Sequence, residues 1–191
     1  MCARALAIML WATHAKLLIR KIGHNQYLNF HCLMKIAFYK AEYGDYWDKL
    51  VALWTWGPYS HCELVFSDGV CFSASPRDGG TRFKTIEFIP KRWNFLEISV
   101  KDEEEIRKWC KTQEGRKYDW LGILGFILRI QLEDRDKWYC SEICFYALSK
   151  YSSIPRTRYR FDPNRLYKFL LERRKGMLPF SLFHIDFSER K

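Results

Sequence analysis

The sequence predicts an α+β domain in which an antiparallel sheet is packed with helices. After Met34, the first half of the chain consists of short segments bounded by turn residues, whereas longer segments with helical periodicity fill the second half. Strands followed by helices around one core are typical of the α+β class. A length of 191 residues, 48% of them hydrophobic, suits one such domain with short extensions and excludes a disordered chain.

Five segments of the first half have the pattern of strands: residues 35–39, 60–66, 70–75, 81–88 and 93–100. Between the first two, residues 45–56 have the pattern of a loop or a short amphipathic helix. Pro90 interrupts the chain between the last two strands. These segments supply the predicted sheet.

The turn between the second and third strands predicts how these two strands pair. Ser-Asp-Gly at 67–69 indicates a three-residue hairpin loop with Gly69 in the left-handed region. Phe66 then lies opposite Val70, and one face of the hairpin carries His61, Glu63, Cys71, Ser73 and Ser75. A two-residue loop would instead turn Phe72 and Ala74 onto that face.

Four segments have helical patterns: residues 102–115, 120–130, 139–151 and a last helix that begins at 162. Asp102 and Glu105 have the spacing of a capping box. Residues 120–130 are apolar nearly all round, which predicts a buried helix too short to cross a bilayer. Asp162 followed by Pro163 is typical of a helix N-terminus.

The net charge of +10 comes from the two ends of the chain. Residues 1–33 hold four basic and no acidic side chains, 156–191 hold ten basic and four acidic ones, and 34–155 hold 18 of each. Attraction to nucleic acid or an anionic membrane would therefore act through the ends. We interpret 1–33 as a basic leader or extension, 34–176 as the domain and 177–191 as a tail.

The cysteines bear on the compartment in which the protein works. There are seven, an odd number, without a Cys-x-x-Cys pair, which favours buried thiols in a reducing compartment such as the cytoplasm and gives no recognisable zinc spacing. The first 33 residues are compatible with a secretory signal, a basic amphipathic extension or a native start at Met34. No apolar run is long enough to predict a transmembrane helix.

Two residues have the positions that thiol chemistry requires. Cys140 lies at the start of a predicted helix, where the helix dipole lowers a thiol pKa and unpaired N–H groups can stabilise an oxyanion. His61 lies on a strand and is the one histidine of the charge-neutral middle, so it is the candidate base. Cys144, one turn further into the helix, is predicted to be core.

The order of several motifs resembles that of a known family. Ser60-His61 is followed by Phe-x-Ala-x-x-x-x-Gly-Gly at 72–80, Gly-x-x-Tyr-Asp-Trp at 115–120 and Cys-Ser-Glu at 140–142. This order resembles the permuted branch of the NlpC/P60 superfamily, papain-like cysteine hydrolases in which histidine precedes cysteine, and in particular its small phage-encoded members. The resemblance covers about residues 34–166.

The resemblance implies a circularly permuted papain-like fold with Cys140 as nucleophile and His61 as general base and acid, without a cofactor. It places the residue that orients the imidazole on the strand after the histidine strand, at Ser73. Serine holds an imidazole less firmly than a carboxylate does, so Glu63, Ser75 or a backbone carbonyl remain alternatives.

Three functions follow from these observations. The first is a cysteine-dependent hydrolase that cleaves an amide or peptide, ester or thioester bond through a thioacyl intermediate, with a small peptide, acyl or cell-wall-derived substrate. The second is a non-catalytic binding protein that retains the scaffold. The third is a basic accessory protein that contacts nucleic acid or anionic lipid through 156–191, and it ranks last because the sequence contains no nucleic-acid motif. Aromatic residues near the dyad, namely Trp54, Trp56, Tyr59 and Tyr118, are expected to line a groove or to pack in the core.

Overall fold

The computed structural model of the protein describes residues 32–120, 136–155 and 160–174, which hold a five-stranded antiparallel sheet and four α-helices. The strands are β1 (Cys32–Lys40), β2 (Tyr59–Val65), β3 (Val70–Ser75), β4 (Gly80–Thr85) and β5 (Trp93–Val100). The helices are α1 (Tyr46–Thr55), α2 (Glu103–Gln113), α3 (Cys140–Tyr151) and α4 (Pro163–Arg174). The predicted α+β class is therefore confirmed.

The strand order is β4-β3-β2-β1-β5, which places β2 at the centre of the sheet. The ladder between β1 and β5 begins with Cys32 opposite Val100, so β1 starts three residues before the predicted strand and inside the predicted leader. β4 ends at Thr85, earlier than predicted, because Thr85 pairs with Val70, the first residue of β3.

The hairpin of β2 and β3 has the predicted three-residue loop. Val65 pairs with Cys71, and the N–H of Phe66 donates to the carbonyl of Val70 at 2.9 Å. Gly69 has φ +83°, the left-handed conformation that closes this loop. The register derived from the turn chemistry is therefore confirmed.

The core lies between one face of the sheet and α3, which packs against β2 and β3. Ile36, Leu64 and Phe72 of the sheet meet Ile143 and Leu148 of the helix, and all five are fully buried. Helices α2 and α4 contact α3 and complete this layer. The core thus fixes the start of α3 relative to β2.

Residues 45–56, for which the sequence left a loop or a helix open, form α1. Asp45 accepts hydrogen bonds from the N–H groups of Trp47 and Asp48, and the Asp48 carboxylate accepts one from the N–H of Asp45. This capping box stabilises a helix that buries little apolar surface, since Asp48 is its one buried residue.

The other two predicted N-caps are present, but the capping box predicted for Asp102 and Glu105 forms only in its Asp102 half, and the Glu105 carboxylate accepts from Lys108 instead. Asp102 accepts from the N–H groups of Glu104 and Glu105 at the start of α2, and Gly115, with φ +80°, follows its end. Asp162 accepts from the N–H of Arg165 in the first turn of α4.

Several sequence predictions fall outside the described residues. They are the leader up to residue 31, the apolar helix after position 120 and the tail at 177–191. Within the three described ranges, no helix combines the length and apolar character needed to span a membrane.

Candidate active site

Cys140 is the first residue of α3, as the sequence predicted within one residue. The preceding residue, Tyr139, is extended, and the first intrahelical bond runs from the N–H of Ile143 to the carbonyl of Tyr139 at 3.2 Å. The N–H groups of Cys140 and Ser141 therefore lie ahead of the helical ladder, at the positive end of the helix dipole.

The chain that enters α3 is fixed on both sides of Cys140. Trp138 forms a parallel bridge with Tyr118, and its carbonyl accepts from the N–H of Asp119 at 3.0 Å. On the other side, the Ser141 hydroxyl donates to the carbonyl of Phe161 at 2.6 Å. These contacts hold the helix N-terminus in a defined place beside the sheet.

His61 lies near the start of β2, where the pairing with β1 is irregular. Tyr39 pairs with His61, but Lys40 pairs with Tyr59, so the register shifts by one residue at this point. Such irregularities bend a strand locally and change the direction of a side chain. The His61 side chain keeps 18% of its surface exposed, which gives the site access to solvent.

The structure brings His61 and Cys140 together. A hydrogen bond from the Cys62 thiol and the positive charge of His61 hold the pKa of Cys140 well below its ordinary range, although burial acts in the opposite direction. Burial alone would lower the pKa of His61, but the charges of Cys140 and Glu63 raise it to about 10. Both shifts favour a thiolate and an imidazolium over the neutral pair, and the thiolate is the reactive form of a nucleophilic cysteine.

Glu63 is the carboxylate that holds the imidazole. Its Oε1 lies 2.7 Å from Nε2 of His61, and its side chain is only 1% exposed. Because Nε2 is engaged by Glu63, Nδ1 is the ring nitrogen left to exchange a proton with the sulfur. Glu63 was one of the alternatives that the sequence left for the residue that orients the imidazole, and its contact with Nε2 supports that alternative.

Arg82 keeps this buried carboxylate ionised. It donates from two nitrogens to the two oxygens of Glu63, at 2.8 and 2.6 Å, and its Nε donates to Asp78 at 2.7 Å. Burial would raise the pKa of Glu63, but the Arg82 hydrogen bonds and the charge of His61 hold it below its ordinary value. The bidentate contact also fixes the orientation of the carboxylate.

Ser73, the orienter that the resemblance implied, is directed elsewhere. Its hydroxyl donates to the backbone carbonyl of Cys62 at 2.7 Å, whereas Glu63 contacts the imidazole. The backbone pairs between β2 and β3 are Leu64–Phe72 and Val65–Cys71. Cys62 lies beyond the end of this ladder, and the Ser73 hydroxyl supplies a hydrogen-bond partner for its carbonyl. Ser75, the other serine considered, pairs with Gly80 at the end of β3.

Two further cysteines lie beside the dyad. Cys144 is fully buried with its sulfur 3.9 Å from the carbonyl of Cys62, which confirms its prediction as a core residue. Sequence reasoning missed Cys62, whose thiol and backbone N–H both lower the pKa of Cys140. Burial raises the pKa of Cys62 itself well above its ordinary range, and its hydrogen bond to Cys140 acts in the same direction.

The aromatic residues near the dyad have different roles. Tyr59 is core, because it is buried against Phe38 and Tyr167, whereas Trp54 and Trp56 are exposed. Burial raises the pKa of Tyr118 well above its ordinary value, and the neighbouring charge of Cys140 adds to this. Tyr118 therefore lies close enough to Cys140 for the charge of the sulfur to affect it. The ring of Trp120, which is 63% exposed, lies 5.2 Å from that of Tyr118.

The six cysteines in the described part of the chain are all free thiols. In the same residues, no group of three or more His, Cys, Asp or Glu side chains has the arrangement of a metal site. No family model, curated protein or solved structure matches the chain. The geometry of Cys140, His61 and Glu63 therefore carries the functional argument.

Proposed function

We propose that the protein is a cysteine-dependent hydrolase that cleaves an amide or peptide, ester or thioester bond. The observation that carries this proposal is the meeting of Cys140 of α3 with His61 and Glu63, which lie two residues apart on β2 in a distant part of the chain. A thiol at a helix N-terminus, an imidazole and a buried carboxylate supply a nucleophile, an acid and base, and an orienter. Cys140, His61 and Glu63 have these roles.

In the first half of the reaction, the Cys140 thiolate attacks the carbonyl carbon and a carbon–sulfur bond forms. The π electrons of the carbonyl move to its oxygen, which the N–H groups ahead of the α3 ladder stabilise. As the tetrahedral species collapses, the imidazolium of His61 gives its proton to the leaving nitrogen, oxygen or sulfur, whose bond to carbon breaks. A thioacyl enzyme remains.

In the second half, His61 accepts a proton from water while the water oxygen attacks the thioacyl carbon. The carbon–sulfur bond then breaks, its electron pair returns to sulfur, and the acid product leaves. Thiolate and imidazolium are restored. Throughout the cycle the Glu63 carboxylate stabilises the positive charge of the imidazolium and holds Nε2, which leaves Nδ1 for proton exchange with the sulfur.

The finer architecture is part of the same proposal. The nucleophile helix packs against an antiparallel sheet, and the histidine strand precedes it in the chain. Both features support the circularly permuted papain-like fold and the NlpC/P60 relationship that the motifs suggested. A small peptide, acyl or cell-wall-derived substrate, handled in a reducing compartment such as the cytoplasm, agrees with a mechanism that depends on a free thiolate.

The test begins without a substrate. Iodoacetamide at about pH 6 is expected to alkylate one thiol rapidly, because a thiol of ordinary pKa is protonated there, and peptide mapping should identify Cys140. Cys144→Ser is the matched control on the same helix and should leave the fast phase in place. Cys140→Ala should abolish turnover of peptide-amide, ester and thioester panels without lowering the melting temperature. Full activity in that variant refutes the mechanism.

A non-catalytic binding protein is the second candidate, and one observation favours it. Cys140 is only 4% exposed, so a substrate carbonyl must reach the sulfur past the partly exposed His61. If all thiols react slowly and uniformly with iodoacetamide, the binding protein replaces the enzyme as the better interpretation.

A further inference from the structure

Three of the six cysteines in the described part of the chain meet where α3 packs against β2. The Cys62 thiol forms hydrogen bonds with the sulfur of Cys140 and with that of Cys144. The Cys144 sulfur lies 3.9 Å from the carbonyl oxygen of Cys62. We call Cys62, Cys140 and Cys144 the cysteine cluster.

The proposed hydrolysis uses the Cys62 side chain only as a hydrogen-bond donor to the Cys140 thiolate, a role that a serine hydroxyl could also fill. A thiol differs from a hydroxyl because it can form a covalent bond to a neighbouring sulfur. The two sulfurs are already in hydrogen-bond contact. A disulfide requires them to approach from that contact to about 2 Å, a movement on the scale of side-chain rotation.

Access to the cysteine cluster is limited to its Cys140 end. Cys62 and Cys144 are fully buried, whereas Cys140 is 4% exposed and contacts the partly exposed His61. Hydrogen peroxide is scarcely larger than water, so it can reach a sulfur that a bulky oxidant cannot. It also reacts with thiolates in preference to thiols, so both access and ionisation select Cys140.

We propose that Cys140 is a site of oxidation by hydrogen peroxide and that Cys62 is the thiol that resolves it to a disulfide. In the first step, an electron pair of the Cys140 thiolate attacks one peroxide oxygen and the O–O bond breaks. The leaving hydroxide takes a proton from the imidazolium of His61, so the products are a sulfenic acid, neutral imidazole and water. Sulfur is oxidised and the peroxide is reduced by two electrons.

In the second step, the Cys62 sulfur attacks the sulfenic sulfur and the S–O bond breaks. The hydroxide that leaves combines with the proton of the Cys62 thiol to form a second water. The new bond joins α3 to β2 and blocks the nucleophile, while it protects the sulfur from irreversible oxidation to sulfinic and sulfonic acids. A thiol reductant restores both thiols, so the modification is reversible.

The inference rests on the same Cys140 thiolate as the proposed function, but it does not require any acyl bond to be cleaved. Oxidation and hydrolysis can therefore fail separately.

The test is treatment of the full-length protein with excess hydrogen peroxide, followed by nonreducing peptide mapping. Wild type should lose the mass of two hydrogen atoms and contain a Cys62–Cys140 disulfide, and dithiothreitol should restore the fast iodoacetamide phase of Cys140. Cys62→Ser keeps a hydrogen-bond donor but cannot resolve the sulfenic acid, so sulfinic and sulfonic Cys140 should increase about tenfold or more. Cys144→Ser is the matched control on α3 and should form the same disulfide as wild type.

Two results overturn the inference. They are a wild type in which peroxide forms no Cys62–Cys140 disulfide, and a Cys62→Ser variant that recovers its fast phase as fully as wild type. The mapping of wild type decides the inference even if Cys62→Ser does not fold. Fast alkylation of Cys140 without the disulfide refutes the resolving role of Cys62 alone, whereas the disulfide without turnover of any substrate supports it and counts against the hydrolase alone.

Discussion

Replacing Glu63 by glutamine tests the arrangement of the site most directly. Glu63→Gln keeps the size and planar shape of the side chain but removes the charge that lies 2.7 Å from Nε2 of His61. Arg82 stays anchored through Asp78, so its positive charge then lies near the imidazole without the intervening carboxylate. Both changes disfavour the imidazolium.

The size of the effect follows from the distance. An opposite charge within about 4–6 Å shifts a pKa by about 1–3, which corresponds to about 1.4–4 kcal/mol. The pKa of His61, about 10 in the wild type, should therefore fall by that amount. Because imidazolium and thiolate stabilise each other, the pKa of Cys140 should rise, and less thiolate is present at a given pH.

The assay is the rate of Cys140 alkylation by iodoacetamide as a function of pH. In Glu63→Gln the inflection of the profile should move to higher pH. Ser73→Ala is the matched control: its hydroxyl faces the carbonyl of Cys62, so the profile should stay in place. Superimposable profiles for wild type and Glu63→Gln, or a larger movement for Ser73→Ala, would refute the assignment of Glu63 as the orienter.

Three further substitutions have expected effects on stability, each measurable by urea unfolding. Arg82→Met leaves the Glu63 carboxylate buried without its guanidinium and should lower the free energy of unfolding by about 3–5 kcal/mol, with the loss largest at neutral pH, where the carboxylate is ionised. Gly80→Ala should destabilise by more than about 2 kcal/mol, because a Cβ at φ +152° would lie 1.9 Å from the carbonyl oxygen of Arg116. Asn164→Ala removes amide contacts to the backbone of β2 at 2.8 Å and should cost about 1–3 kcal/mol. Wild-type unfolding curves for any of the three would contradict the corresponding contact.

Local chemistry made much of the site predictable. The Ser-Asp-Gly loop and the two-residue period of strands place His61 and Glu63 on one face, and the structure has that register. The N-terminal position of Cys140 followed from helical periodicity alone. These predictions succeeded because each depends on residues that are close together in the chain.

The parts that sequence reasoning missed depend on contacts between distant segments. Arg82 reaches Glu63 because it pairs with Ser73 on β3, the strand that lies between β2 and β4. The loop that joins β3 to β4 has no turn motif from which the pairing of these two strands could be predicted. Cys62 faces away from His61 by strand periodicity, and only the docking of α3 brings Cys140 into contact with both. No local pattern encodes either arrangement.

The ionic contacts that end at the sulfur extend to the edge of the sheet. Asp78, in the turn between β3 and β4, holds Arg82, which holds Glu63, and through it His61. Negative and positive side chains alternate along this row, from Asp78 in the exposed turn to the sulfur of Cys140. An insertion or charge reversal in that exposed turn would therefore be transmitted through Arg82 and Glu63 to the pKa of His61 and of Cys140. The reactivity of the sulfur is thus open to adjustment at a surface turn outside the candidate site.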